Sequence, residues 1–291
     1  MEHATPGDAE RARISAGELS LGVVSRGAPA SPPVIVLHGF TGSAESMEGV
    51  ARALASDCRV HALELVGHGA SDAPDDVAAY AMDRCADQVV AAMDALGIRQ
   101  GHFVGYSMGA RAALSLAIRA PHRVGSLALI GVSPGFVDES ERSERIAADR
   151  SLAEQILSGG IEAFVDRWMA LPLFASQERL GAEALAQARA QRLAANPVGL
   201  ANSLRGMGTG AMPPLWPVLP ELDLPVLLVV GREDEKFSAL ANRLLGSFPQ
   251  AELLEIAEAG HAAHLERPQA FEAGYRQFLR SVLHAGGETK L

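Results

Sequence analysis

The five residues Gly105-Tyr106-Ser107-Met108-Gly109 constrain this chain more than any other stretch. They read G-x-S-x-G. A strand-like run, His102–Val104, precedes them, and a small-residue helical stretch with Gly109, Ala110, Ala112 and Ala113 follows. Between a strand and a helix this pattern predicts a nucleophile elbow. The turn is so crowded that Gly is needed on either side. It lifts the Ser hydroxyl above a sheet, at a helix N-terminus where free N–H groups and the helix dipole favour negative charge. The pentapeptide alone could be an ordinary tight turn; its flanks argue for the elbow.

The surrounding pattern supplies the sheet. Short β-branched or Leu-rich runs occur at Val34–Leu37, Val60–Leu65, Phe103–Gly105, Leu127–Ile130, Val226–Val230 and Leu253–Ile256, and residues 14–26 suggest a first strand or hairpin. Runs apolar on both faces suit a parallel sheet. Helical stretches at 83–96, 108–119 and 239–247 alternate with them, which predicts a wound α/β fold. The alternation breaks between about 136 and 215, where only helices are read, at 139–158, 160–170 and 178–194, with Pro172 and Pro197 between them. The predicted organisation is therefore a loose tail over 1–13, an α/β core over 14–135 and 216–285, and an inserted helical lid over 136–215.

A Ser hydroxyl needs a base, and the base needs an orienting acid. In this architecture the chain order is Ser, then Asp or Glu, then His. Asp234 follows the run 226–230, with Glu233 its competitor. His261 follows the run 253–257, with His264 the alternative in the next helix. His261-Ala-Ala-His264 could be half a metal site, but no third ligand cluster accompanies it, so no metal and no cofactor is expected. The loop His38-Gly39-Phe40 follows the run 34–37. It places the Phe40 N–H beside that of Met108 as a predicted oxyanion hole. His38 is counted among the substrate-contacting residues, and His68 is read as structural.

Charge narrows the substrate. The formal net charge is −10, which disfavours nucleic acid and anionic membranes as partners. Yet Arg111 stands one helical turn after Ser107, on the same face. Residues 184–220 hold Arg189, Arg192 and Arg205 and no Asp or Glu. Arg grips a carboxylate through two parallel hydrogen bonds, which suits orientation as well as attraction. Arg189 and Arg192 lie three apart, so one of them alone could face the pocket. Cys58 and Cys85 read as reduced, buried thiols. The first residues, MEHATPGDAERAR, contain acids and no apolar core of a signal peptide, and no run has the length of a membrane span. A cytoplasmic enzyme is expected, with monomeric and homo-oligomeric states both open.

HGFTGS, VGHG, GYSMG, GREDEKF and AGHAAHLE together resemble the α/β-hydrolase superfamily. GYSMGAR (105–111), SPGF with its following ER, R and DR (133–150), SLRGMGTGAMPPLW (203–216), DEKF (234–237) and GHAAHLE (260–266) are narrower. They resemble 2-succinyl-6-hydroxy-2,4-cyclohexadiene-1-carboxylate (SHCHC) synthases of menaquinone biosynthesis, over about 33–275. Val66 and Ala110 stand where that family commonly has Pro and Gly. The resemblance implies a small polycarboxylate as the partner, and elimination of pyruvate from 2-succinyl-5-enolpyruvyl-6-hydroxy-3-cyclohexene-1-carboxylate, with Ser107 acting as a base. It further implies Arg145 and Arg192 as partners of Arg111, and Tyr106 and Trp168 as pocket residues. Arg145 sits in an ERSERIAADR run, where solvent-face pairing four residues apart competes with that role. Trp168 could equally be lid core. The triad alone would also serve a carboxylesterase or a carbon–carbon bond hydrolase, and a non-catalytic binding protein on the same fold is the third reading.

Overall fold

The computed structural model describes residues 9–288. The described residues form an eight-stranded sheet: β1 (Glu10–Ala16), β2 (Leu19–Arg26), β3 (Pro33–Leu37), β4 (Arg59–Leu63), β5 (Gly101–Tyr106), β6 (Val124–Ile130), β7 (Val226–Gly231) and β8 (Ala251–Ile256). Their spatial order is β1-β2-β4-β3-β5-β6-β7-β8. Only β2 runs against its neighbours; all pairs from β4 to β8 are parallel.

Alternation along each strand explains the two-sided burial. Ile35 and Leu37 of β3 face one apolar layer, and Val34 and Val36 the other. The same split separates Leu127 and Leu129 from Ala128 and Ile130 in β6. Helices α2 (Met82–Ala95), α3 (Met108–Arg119) and α8 (Glu235–Leu245) cover the first face. Helices α1 (Glu48–Leu54) and α10 (Pro268–Glu288) cover the second. The short α9 (Ala263–Glu266) precedes α10. Both Cys58 and Cys85 are free thiols buried in these layers.

Between β6 and β7 the chain is helical throughout: α4 (Glu139–Gly159), α5 (Ile161–Met169), a 3₁₀ stretch (Pro172–Leu180), α6 (Ala182–Leu193) and α7 (Pro197–Met207). This lid has its own core of Ala153, Ile156, Phe164, Val165, Leu200, Ala201 and Leu204, and that core closes on Phe40 of the loop after β3. Among the described residues no helix is long and apolar enough to cross a membrane.

Two sequence expectations need correcting. The tail expected over 1–13 does not hold for its last residues: Glu10–Arg13 belong to β1, zipped to β2 from Glu10–Ser25 to Ala16–Leu19. Residues 1–8 lie outside the described residues. The segment after Pro197 is also a helix. Pro197 starts α7 rather than breaking one, because Asn196 Oδ1 accepts hydrogen bonds from the N–H groups of Val198 and Gly199. Pro at the first helical position loses no helical bond.

Candidate active site

Ser107 sits between β5 and α3 with φ 51° and ψ −103°, a conformation few residues other than Gly adopt. Close approach explains the flanking glycines. A Cβ on Gly105 would lie 2.6 Å from Ala110 Cα, and one on Gly109 would lie 2.3 Å from the Leu37 carbonyl oxygen. The strain is held by two backbone bonds, Ser107 N–H to Ile130 O at 2.8 Å and Arg111 N–H to Ser107 O at 3.1 Å. The Met108 N–H, in the first turn of α3, has no helical acceptor of its own and is free for an oxyanion.

The ends of β7 and β8 bring in the partners. Asp234 caps α8: its Oδ1 accepts from the Phe237 N–H at 3.2 Å, while its Oδ2 lies 2.8 Å from His261 Nδ1. The carboxylate thus fixes the proton on Nδ1. His261 Nε2 faces Ser107 Oγ at 3.2 Å, positioned to accept the hydroxyl proton. Asp234 and His261 are buried, whereas Ser107 is partly accessible. The Phe237 ring packs at a tilt against the imidazole, 4.5 Å between centroids. Glu233 turns outward to Arg179 of the lid, at 2.8 Å, so Asp234 alone meets the base.

One residue of this arrangement escaped sequence reasoning. Gly131 follows β6 with φ 60°, and a Cβ there would lie 2.7 Å from His261 Cε1. The imidazole rests on a bare backbone. Its signal was faint: a Gly at the end of a strand-like run, without a motif around it.

The cationic residues divide. Arg111 is 8% exposed and donates to the Met207 carbonyl at the end of α7, with Met212 Sδ at 3.7 Å. Among the described residues it has no salt bridge. Burial first, then the neighbouring charge of Arg145, push its pKa down to about 10; Asp149 opposes them. It stays charged at neutral pH. Arg145 donates through Nε to both Asp149 oxygens at 2.9 Å and is partly exposed. Arg192 and not Arg189 turns inward. Arg189 pairs at the surface with Asp166 (2.8 Å) and Glu162 (3.1 Å). Arg192 Nη1 donates to Ala188 O at 2.9 Å while its buried Nε has no hydrogen-bond partner among the described residues, and burial lowers its pKa.

Arg192 shares a cleft of about 330 Å³ with Phe40, Tyr106, Gln177, Gln191 and His264. The cleft opens between α6 and the loop after β3; Tyr106, next in sequence to Ser107, lines it, while Ser107, Asp234, His261 and Arg111 do not. The Tyr106 ring packs between His261 at 5.4 Å and His264 at 4.6 Å. Trp168 stands edge-on to Phe40 at 5.2 Å and belongs to the lid core, yet its Nε1 is buried without a partner.

His38 does not contact the cleft. It is 0% exposed, and both ring nitrogens are used: Nε2 accepts from the Leu65 N–H at 3.1 Å, which puts the proton on Nδ1 to bond Gly39 O at 2.8 Å. Burial lowers its pKa to about 4. Its work is to pin the Phe40 loop to the end of β4, and the substrate-contacting role expected for it is corrected. His264 is likewise buried, pushed down to about 3 chiefly by burial, and does not touch Asp234 or Ser107. Among the described residues no group of three potential metal ligands occurs.

Comparison with known proteins agrees with this architecture. Residues 32–268 match the α/β-hydrolase fold family. A putative SHCHC synthase of Bacillus subtilis is 41% identical, over 89% of this chain and 94% of its own length. The SHCHC synthase of Serratia proteamaculans is 31% identical, over 90% of this chain and 98% of its own. The chain belongs to the SHCHC synthase family. The structure of MenH from S. aureus superposes with a TM-score of 0.86 at 32% identity, covering 90% of this chain and 98% of that one. A thermophilic esterase from Thermogutta terrifontis follows at a TM-score of 0.81 and 25% identity, with 94% and 99% covered. The α/β core is therefore shared with ester-cleaving enzymes, and what sets a SHCHC synthase apart must lie in the groups around the triad.

Proposed function

We infer that this chain is the menaquinone-pathway lyase that eliminates pyruvate from 2-succinyl-5-enolpyruvyl-6-hydroxy-3-cyclohexene-1-carboxylate to give SHCHC. The observation that carries the chemistry is Arg111: a buried guanidinium without an ion-pair partner, one turn from Ser107. An unpaired buried charge is costly unless something completes it. A substrate carboxylate would, and an ester of a simple alcohol would not.

In this reading Ser107 Oγ removes the ring proton as His261 Nε2 takes the hydroxyl proton, and Asp234 stabilises the imidazolium. The electrons released from the C–H bond form a new ring double bond, the existing ring double bond shifts by one position, and the enolpyruvyl oxygen leaves with its bonding pair. The departing enol takes up a proton and becomes pyruvate. The N–H groups of Met108 and Phe40 would hold oxyanion character on the substrate. Arg111 and Arg192 would hold carboxylates, with Arg145 adding charge from behind Asp149. Tyr106 would form the floor, and the Trp168 Nε1–H is a donor in want of an acceptor.

The test is pyruvate release from the enolpyruvyl substrate, followed against its spontaneous background. Turnover that exceeds background and is lost in Ser107→Ala supports the reading; turnover no faster than background overturns it. The esterase likeness favours one alternative, a serine hydrolase. Fast hydrolysis of a short-chain aryl ester, lost in Ser107→Ala and unaccompanied by pyruvate release, would establish that instead.

A further inference from the structure

The triad explains how His261 is aimed but not how its loop is held. His261 lies between β8 and α9, in a turn with few side chains of its own to anchor it. Glu266, at the end of α9, folds back over this turn. Its Oε2 accepts from the Gly260 N–H at 2.9 Å and its Oε1 from the Ala262 N–H at 3.3 Å. One carboxylate therefore bonds the backbone on both sides of the catalytic imidazole. The Glu266 side chain is only 3% exposed. A buried carboxylate needs compensation for its charge, and the nearest cation comes from the lid. Arg179 Nη2, in the 3₁₀ stretch Pro172–Leu180, lies 3.6 Å from Glu266 Oε2. The same nitrogen donates to Glu233 Oε2 at 2.8 Å and to Glu258 O at 3.2 Å. Arg179 thus touches the residue before Asp234, a carbonyl just upstream of His261, and the carboxylate that clamps the His261 turn.

We propose that Glu266 is the positioning residue for His261, and that Arg179 completes the clamp from the lid, so that lid placement and triad geometry are set together. The carboxylate touches neither the substrate pocket nor the reacting atoms. It acts through the backbone torsions of residues 260–262, which determine whether Nε2 meets Ser107 Oγ and Nδ1 meets Asp234. Charge-assisted bonds of this kind are short and directional, and a small displacement of a catalytic group is expensive in rate. This rests on His261 being the base of the proposed reaction.

The clean probe is Glu266→Gln, which keeps the volume but turns one acceptor into a donor facing a backbone N–H. Two readouts are taken on the full-length protein: the downfield proton resonance of the His261–Asp234 hydrogen bond, and the steady-state kinetics of pyruvate release. Expected in Glu266→Gln are a weakened or shifted resonance and a kcat lowered about tenfold or more, with KM little changed. Arg179→Ala serves as the second variant, because its side chain is half exposed and an exposed ion pair contributes little to stability. It should perturb the same resonance and lower kcat by about threefold, the scale of a surface ion pair. A tether that merely held the lid would instead raise KM and leave the resonance alone. A folded Glu266→Gln with wild-type resonance and kcat overturns the proposal; if that variant does not fold, a wild-type resonance in Arg179→Ala overturns it. Should the unmodified enzyme release no pyruvate, the lyase reading falls, and the resonance comparison still decides the role of Glu266.

Discussion

Arg111→Met separates what the fold needs from what the reaction needs. The guanidinium is 8% exposed, and burial leads the causes that bring its pKa down to about 10. At about 1.4 kcal/mol per tenfold change, holding it charged costs the folded state about 3 kcal/mol. Met has similar length and carries no charge, so the substitution removes that cost. It also removes the bond to Met207 O, a charge-assisted hydrogen bond worth about 1.5–3 kcal/mol. The two terms nearly cancel. Stability should therefore be unchanged or higher, by up to about 1.5 kcal/mol. Function should move the other way. Losing a desolvated contact to a substrate carboxylate costs about 2–4 kcal/mol, or about 30- to 1000-fold in kcat/KM. Urea unfolding measures the first quantity and pyruvate release the second. A carboxylate-bearing product analogue should also raise the Tm of the unmodified protein more than that of the variant. The reasoning is refuted if Arg111→Met is destabilised by more than about 1 kcal/mol while kcat/KM falls less than tenfold.

Three further outcomes are expected. His38, His68 and His264 are buried, with pKa values pushed down to about 4, 3 and 3; the unfolded chain binds protons that the folded chain refuses between about pH 6.5 and those values, so stability is full above pH 6.5 and falls with acidification. By pH 5 each should have cost about 2 kcal/mol, and equal urea midpoints at pH 7.5 and pH 5 would contradict this. Gly131→Ala forces a side chain into φ 60° and against His261 Cε1; it should cost about 1–3 kcal/mol of stability and lower kcat with little change in KM, and an unchanged kcat would show that the imidazole can retreat. Asn196→Ala removes the cap of α7 and should lower unfolding stability by about 1 kcal/mol, measurable by denaturant titration; no loss would mean that Pro197 alone starts the helix.

Much of this is legible in the sequence, for identifiable reasons. Strands buried on both faces show as dense apolar runs, so Val34–Leu37 and Val226–Val230 stood out. The elbow is bounded by Gly105 and Gly109, whose absent side chains are a steric demand rather than a preference. Asp234 and His261 were found because strand ends order the chemistry. Elements stabilised by exposed polar pairs were not legible. Glu10 and Arg13 of the edge strand β1 pair with Arg59 and Asp72, contacts 49 and 59 residues away that leave no local apolar alternation. The helix that begins at Pro197 is not legible because the role of that proline depends on the Asn196 cap before it. The choice between Arg189 and Arg192 depended on which face of α6 met the core, and a helix with a weakly apolar face does not announce that. His38 was misjudged because sequence places it beside the oxyanion loop but does not show that its ring turns inward to Leu65. Glu266 closes the stretch GHAAHLE, but its role is not legible there, since its partners are backbone N–H groups.

In the proposed reaction Ser107 withdraws a ring proton rather than forming an acyl-enzyme. A substrate deuterated at the ring carbon that loses this proton tests it most directly, through the isotope effect on kcat/KM for pyruvate release. A normal primary effect, with release abolished in Ser107→Ala, is the expected result. Pyruvate release at the same kcat/KM from both isotopologues, accompanied by a substrate-derived adduct on Ser107 in the intact-protein mass, would contradict it.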